Sequence, residues 1–335
     1  MPDARVQAIR LWLQQFDEVA GAALTPASAD ASFRRYFRAS KDDKSWIVMD
    51  APPEKEDSEP FVRIARYLEL MNLNAPRIVE ADLTQGFLLL TDLGSTQYLV
   101  ALTEDAQSAN TLYADAIVAL VRMQDEGASF QSNLPAYDEK LLRIEMSLFS
   151  DWLCETHLGL VFNDDEQQQW SSVCEVLVRN ALDQPCVFVH RDFHSRNLMQ
   201  VSDFNPGILD FQDAVCGPYT YDLVSLLKDC YISWPPDRVT EWALSFYRQR
   251  QPALGPGIDE ELFLRHFHLM GVQRQLKAAG IFARLNHRDG KPGYMLDIPR
   301  TLNYIVAIAN RYEELGYLST LLSERVLPRL AEAMQ

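Results

Sequence analysis

CVFVHRDFHSRNLMQVSDFNPGILDFQDA, residues 186–214, is the stretch on which the fold turns. Val187, Phe188 and Val189 make a short apolar strand that ends at His190-Arg191-Asp192. Asn197 follows in the spacing H-R-D-x-x-x-x-N. Residues 198–201 read as a second strand, Asn205-Pro206-Gly207 as turn chemistry, and Ile208-Leu209 as a third strand that ends at Asp210-Phe211-Gln212. The pattern predicts a hairpin that carries Asn197 and Asp210 to one place. A bare His-Arg-Asp has little weight, since the tripeptide arises by chance and an aspartate such as Asp210 also caps helices. The ordered set is far more specific: strand, HRD, asparagine at fixed spacing, hairpin, then apolar-Asp-Phe.

Phosphoryl transfer needs these residue types. Little covalent chemistry falls to the protein, so catalysis is positioning plus neutralisation of phosphate charge. One carboxylate must orient an acceptor hydroxyl and take its proton, a role that suits Asp192 on a tight loop after a strand. Two oxygen ligands must hold Mg²⁺ against the phosphates of ATP. Asn197 offers a neutral carbonyl oxygen and Asp210 a charged one, and magnesium completes its octahedron with water and phosphate.

Working outward, the chain of 335 residues is long enough for two lobes. A helix is expected to about residue 20, with Val6, Ile9, Leu13 and Phe16 on one face. SFRRYFRA (32–39) and SWIVMDA (45–51) flank the turn-like KDDK and predict a hairpin. The polar loop APPEKEDSEP leads to a helix over 61–73, and two strands follow, the second at 87–90. Beyond Gly94, helical patterns take over at 108–125, 139–154 and 165–181, broken only by the β region of 187–211. The expected fold class is α+β and bilobal. The expected division is a small β-rich N-lobe over 1–93, covering the nucleotide, and a large helical C-lobe over 94–335, joined near 91–94. The cleft between such lobes is the natural ligand site.

Composition narrows the function classes. No apolar run reaches the ~18 residues of a membrane span, and the first residues, MPDARVQAIRLWLQQF, lack the apolar block of a secretory signal. A cytoplasmic protein is expected. The five cysteines (Cys154, Cys174, Cys186, Cys216, Cys230) are scattered and include no C-x-x-C pair, so reduced thiols are expected rather than a disulfide framework or zinc site. Acids outnumber Lys plus Arg by 47 to 31, a balance that opposes binding nucleic acid but not a nucleotide held by local donors and a metal. Neither a membrane nor an obligate protein partner is indicated.

These motifs resemble the aminoglycoside-phosphotransferase/choline-kinase-like superfamily, relatives of the protein kinases, over most of the chain. HRDFHSRN (190–197), ILDFQDA (208–214) and GPYTYDL (217–223) match that family's elements. The resemblance implies a protein-kinase-like fold, with Asp222 fixing backbone rather than touching substrate. No A-P-E follows Asp210, so a small acceptor is implied rather than a protein. In the place of the phosphate-covering loop stand Ala31, Ser32, Phe33, Arg34 and Arg35, with no glycine among them. Two readings stay open there: phosphate contacts from Ser32, backbone N–H groups and one arginine, or an ordinary hairpin with solvated arginines. Met49 falls where kinases carry a strand lysine, which puts in doubt an ion pair to Glu59 or Glu69. An arginine, Arg34 or Arg35, could take its place. LLTDLG (89–94) looks like the hinge, whose backbone at Asp92 and Leu93 would meet adenine.

SFRRYF, VMDAPP, LLLTDLG and HRDFHSRNLM together resemble more closely the bacterial N-acetylmuramate/N-acetylglucosamine anomeric kinases of cell-wall recycling. That group shares the VMDAPP strand, so the Met49 departure becomes a trait. The resemblance implies transfer to the C1 hydroxyl of an amino sugar. His194, Arg196, Gln212 and Asp213 lie beside the catalytic positions and are the candidate sugar contacts. Arg196 suits a lactyl carboxylate or, equally, a salt bridge within its loop. Two alternatives remain: a kinase for another small hydroxyl compound (aminoglycoside, choline or homoserine), and a catalytically silent nucleotide-binding protein.

Overall fold

The computed structural model describes residues 3–29 and 33–334. Asp3 begins the first helix, α1 (Ala4–Leu13), by accepting from the Arg5 and Val6 amides. Five antiparallel strands follow: β1 (Ala23–Ala29), β2 (Arg35–Lys41), β3 (Lys44–Asp50), β4 (Ile78–Asp82) and β5 (Phe87–Thr91), in the order β1-β2-β3-β5-β4. Strand alternation sorts their side chains onto two faces. Phe37, Ala39, Val48, Phe87 and Leu89 close over Ile9, Trp12 and Leu13 of α1. Met49, Leu88 and Leu90 face the other way, onto α2 (Glu59–Leu70) with its buried stripe of Phe61, Ile64, Ala65 and Leu68. Gly86 cannot be replaced cheaply, because it sits at φ 74° and a Cβ there would lie 1.8 Å from the Ala51 carbonyl oxygen.

The larger lobe runs through α3 (Tyr98–Glu104), α4 (Ala109–Glu126), α5 (Glu139–Leu148) and α6 (Asp164–Leu182). Four short strands come next: β6 (Cys186–Val189), β7 (Leu198–Met199), β8 (Gly207–Ile208) and β9 (Val215–Pro218). Helices α7 (Tyr221–Leu227), α8 (Pro236–Leu254), α9 (Glu260–Asp289), α10 (Ile298–Ala309), α11 (Gly316–Leu321) and α12 (Leu327–Ala333) complete it. The 30-residue α9 is the central strut, packed against α5, α6, α7 and α10. Its buried side chains are not only apolar: Gln273, Arg274 and Gln275 are buried too, and they bond to Tyr137, to Cys230 and to the Lys228 carbonyl.

The expected two-lobed α+β fold is the fold observed. Differences are local. The first helix stops at Leu13 and continues as turns. β1 was unexpected because Pro26 weakens a strand reading, and the structure tolerates it on the sheet edge. The helix expected over 139–154 loosens at Phe149 into a π-helical segment that runs to His157. The five cysteines are free, and no described helix is long and apolar enough to cross a membrane.

Candidate active site

Strand β6 delivers the chain into the HRD turn, and buried acids hold that turn from behind. Asp222, on α7, accepts from the His190 amide at 2.6 Å and the Arg191 amide at 2.9 Å. These bonds fix Arg191 in the left-handed region, at φ 76°. Burial pushes the Asp222 carboxyl up to about 7, although both amides favour its charged form. His190 is fully buried, and burial lowers its pKa to about 4, so the ring is neutral. Its Nδ1 accepts from the Asp192 amide at 3.2 Å. Farther along the loop, Asp229 accepts from the Ser195 amide at 2.9 Å and its hydroxyl at 2.5 Å.

Arg191 reaches back to Glu145 of α5 at 2.6 Å, and Lys277 of α9 meets the same carboxylate at 3.0 Å. Tyr137 donates to Glu145 as well, and the Gln273 amide lies at 3.2 Å. Burial works to raise the Glu145 carboxyl, yet Lys277 and Arg191 outweigh it and hold the group below the ordinary range. The same surroundings act on Asp192. Burial again opposes its charge, while Lys277, His194 and Arg274 more than offset that and keep the carboxyl low. A group of this kind is ionised at neutral pH and ready to accept a hydrogen bond from a hydroxyl.

The β7–β8 hairpin does what its sequence predicts. Leu198 pairs with Ile208 and Met199 with Gly207. The Asn197 amide therefore stands 3.2 Å from the Asp210 carboxylate and donates to the Asp192 carbonyl at 3.1 Å. Asp210 is held at φ 61°, with Gln212 donating to its other oxygen at 2.8 Å. Among the described residues no cluster of three or more His, Cys, Asp or Glu forms a metal cage. An adjacent amide and carboxylate are instead the hard, oxygen-bearing pair that suits magnesium, which needs few protein ligands.

Asn197 and Asp210 open onto a cleft of about 610 Å³ between the lobes. Its far wall is built from the sheet face that carries Tyr36, Arg38, Ile47 and Leu90, together with Asp92, Leu93 and Gly94. Arg38 binds Asp92 with two bonds of 2.6 and 3.1 Å and the Gly94 carbonyl at 2.7 Å, tying β2 to the chain crossing between lobes. Met49 is wholly buried under this wall. Arg34 points its guanidinium to Glu56 at 3.4 Å, within the field of Asp210. Arg35 turns the opposite way and is bound to Asp50 at 2.5 Å and to Asp3. Glu59 pairs along its own helix with Arg63.

The sequence candidates therefore separate. Asn197, Asp210, His194, Arg196, Asp92 and Leu93 line one cleft, with Asp192 bonded to Asn197. Arg35 is occupied elsewhere, Phe33 is exposed beneath the Lys55 ammonium, and Asp213 is exposed outside the cleft. Gln212 spends its amide on Asp210. Ser32 lies outside the described residues. Arg196 makes no salt bridge within its loop and lies 3.7 Å over the Tyr231 ring, with Tyr294 at 5.6 Å. Sequence reasoning missed Arg38, Glu56, Glu145, Asp229, Tyr231, Arg274, Lys277 and Tyr294. Strand parity with Arg34 and Tyr36 is a signal that finds Arg38. The rest come from distant elements, and no spacing announces them.

The chain belongs to the phosphotransferase enzyme family, which it matches over residues 23–264. It is 46% identical to a protein of Pseudomonas aeruginosa named N-acetylmuramate/N-acetylglucosamine kinase, over 99% of each chain. A Neisseria meningitidis protein of the same name is 43% identical over 95% of each. Among solved structures, the ADP-bound aminoglycoside phosphotransferase APH(2'')-Ib shares the fold at TM-score 0.59 and 15% identity, covering 91% of this chain and 97% of that one. Choline kinase LicA from Streptococcus pneumoniae does so at TM-score 0.61 and 10% identity, covering 90% and 99%. The expected superfamily and kinase-like architecture are borne out.

Proposed function

We infer that this protein is a cytoplasmic kinase that transfers the γ-phosphoryl group of ATP to the anomeric C1 hydroxyl of N-acetylmuramate and N-acetylglucosamine, as a step of cell-wall recycling. The observation that carries the acceptor is 46% identity, over essentially the whole chain, to a protein named for kinase action on those two sugars. The reaction class rests on Asn197 and Asp210, which line one cleft, and on Asp192, whose carbonyl accepts from the Asn197 amide.

In this reading Asp192 orients the C1 hydroxyl and accepts its proton as the sugar oxygen bonds to the γ-phosphorus and the bond to ADP breaks. Asn197 and Asp210 would hold Mg²⁺, which when bound neutralises charge on the β- and γ-phosphates. Asp222 and Glu145 position the loop that bears Asp192, through the His190 and Arg191 amides and the Arg191 guanidinium. Residues 1–93 cover the nucleotide and 94–335 carry the chemistry and the sugar, with adenine against the backbone at Asp92 and Leu93. Arg34 takes the place of the absent strand lysine, because it alone of the two loop arginines faces Asp210, while Arg35 is bound to Asp50.

One observation favours a catalytically silent nucleotide binder: Met49, buried where a lysine would stand. Against it, an inactive chain has no need of a low carboxyl at Asp192 beside a magnesium-type ligand pair. The test is transfer from Mg-ATP to each free sugar, with Asp192→Asn as control. An acid-labile sugar phosphate that disappears in the variant is expected. Nucleotide binding without turnover on any acceptor would leave only the silent reading.

A further inference from the structure

One arginine of the cleft stands apart from the ion pairs in a protein whose formal charge is −16. Arg196 lies on the cleft wall, its guanidinium flat over Tyr231 at 3.7 Å and flanked by Tyr294. Stacking occupies the face of the guanidinium and leaves its N–H edge for a planar anion. Among the described residues, no carboxylate lies within ion-pair distance of Arg196. The acids nearby are engaged: Asp92 by Arg38, Asp210 by Gln212, and Asp229 by Ser195 and the Tyr231 amide.

Arg274 lies behind this wall, 6% exposed. Among the described residues, its one hydrogen bond is to the Cys230 thiol at 3.7 Å, and its Nε–H has no partner. Burial works against its charge, but Cys230, Tyr221, Asp192 and Asp229 around it more than offset that and hold the guanidinium charged. Its field reaches Asp192 and also His194, which lines the cleft. Among the described residues, Arg196 is thus a cation on the cleft wall with a ring partner and no carboxylate partner. A polycationic acceptor would need the reverse, namely unengaged carboxylates.

We propose that Arg196, stacked on Tyr231 and free of any carboxylate partner among the described residues, is a carboxylate subsite that selects an acidic amino sugar over its neutral counterpart. The proposal rests on the amino-sugar reading above and assigns the residues that divide its two acceptors. The carboxylate of a lactyl ether lies several bonds from C1, so this contact sets affinity and orientation without joining the chemistry. Arg196 is thus a specificity-determining residue.

The test compares kcat/KM for N-acetylmuramate, its methyl ester and N-acetylglucosamine. The ester keeps the bulk and removes the charge, so the first comparison needs no mutation. The unaltered protein is expected to favour acid over ester about ten- to a hundredfold, the range of one charge-assisted contact. Arg196→Gln is expected to bring that ratio to within about threefold of unity, and Arg196→Lys to restore part of it. Equal use of acid and ester by the unaltered protein would overturn the subsite while leaving the amino-sugar reading intact. So would a loss in Arg196→Gln that is equal for all three acceptors. Turnover of none of the three would instead remove the amino-sugar reading itself.

Discussion

Replacing Glu145 with glutamine removes the one carboxylate shared by Arg191 and Lys277. The site is buried, so water cannot take its place, and two cations are left facing a neutral amide. Breaking a buried pair in this way costs ~3–5 kcal/mol. At ~2.1 cal/mol/K per residue the unfolding entropy of a 335-residue chain is roughly 0.7 kcal/mol/K. The melting temperature should therefore fall ~4–7 °C. Differential scanning calorimetry on Glu145→Gln measures this, and the double variant Glu145→Gln/Lys277→Met isolates the cause. Removing one stranded cation should recover at least ~1 kcal/mol, which gives a positive coupling in the cycle. Because Glu145 also anchors Arg191 inside the HRD turn, kcat should fall together with stability. A shift under about 1 °C, or a double variant worse than additive, would refute the argument that this cluster is an interdependent charge network.

Arg34→Met should raise KM for ATP about tenfold or more, the scale of one charge-assisted bond to phosphate, whereas Arg35→Met should change it little, and initial-rate kinetics separates the two. Gly280→Ala places a Cβ 2.2 Å from the Leu148 carbonyl carbon, where α9 crosses the end of α5, so urea denaturation should reveal a loss of ~1–3 kcal/mol or more. His190 and His268 are held neutral by burial, with pKa lowered to about 4 and about 3. A depressed folded pKa means that stability is present above the unfolded value near 6.5 and is lost as pH falls through the folded value. Stability should hold near pH 7 and drop toward pH 4 by about 3 kcal/mol for each ring, with proton uptake on unfolding at pH 5.5. Flat midpoints across that range would show that the rings are not buried neutral.

The parts legible in the sequence are those where chemistry and spacing are local. HRD, Asn197 and Asp210 lie within one hairpin, so strand length and turn residues suffice to bring them together. Long helices such as α4 and α6 show in their periodicity because one face is buried. What stayed hidden is carried by tertiary contact. Glu145, Lys277 and Arg274 take their importance from α5 and α9 packing behind the HRD turn, at separations beyond a hundred residues in the case of Gln273 and Glu145. The choice between Arg34 and Arg35 was open in the sequence, and what the sequence does not show is that Asp50 and Asp3 hold Arg35 while Arg34 lies in the field of Asp210. Met49 read as a defect in isolation. In the fold it is simply a core residue of the small lobe, in register with Tyr36.

That buried methionine also has a consequence for chemical labelling. Amine-reactive nucleotide analogues capture kinases through a primary amine beside the phosphates, and here the strand offers a thioether sealed from solvent. The lysines of the hairpin, Lys41 and Lys44, stand paired at its turn, at the opposite end of β3 from Met49. Such reagents would find no amine at that strand position, and Lys55, over the Phe33 ring in the loop beside Arg34, is the amine left for them to reach. An arginine-directed dicarbonyl aimed at Arg34 is the reagent that the architecture favours.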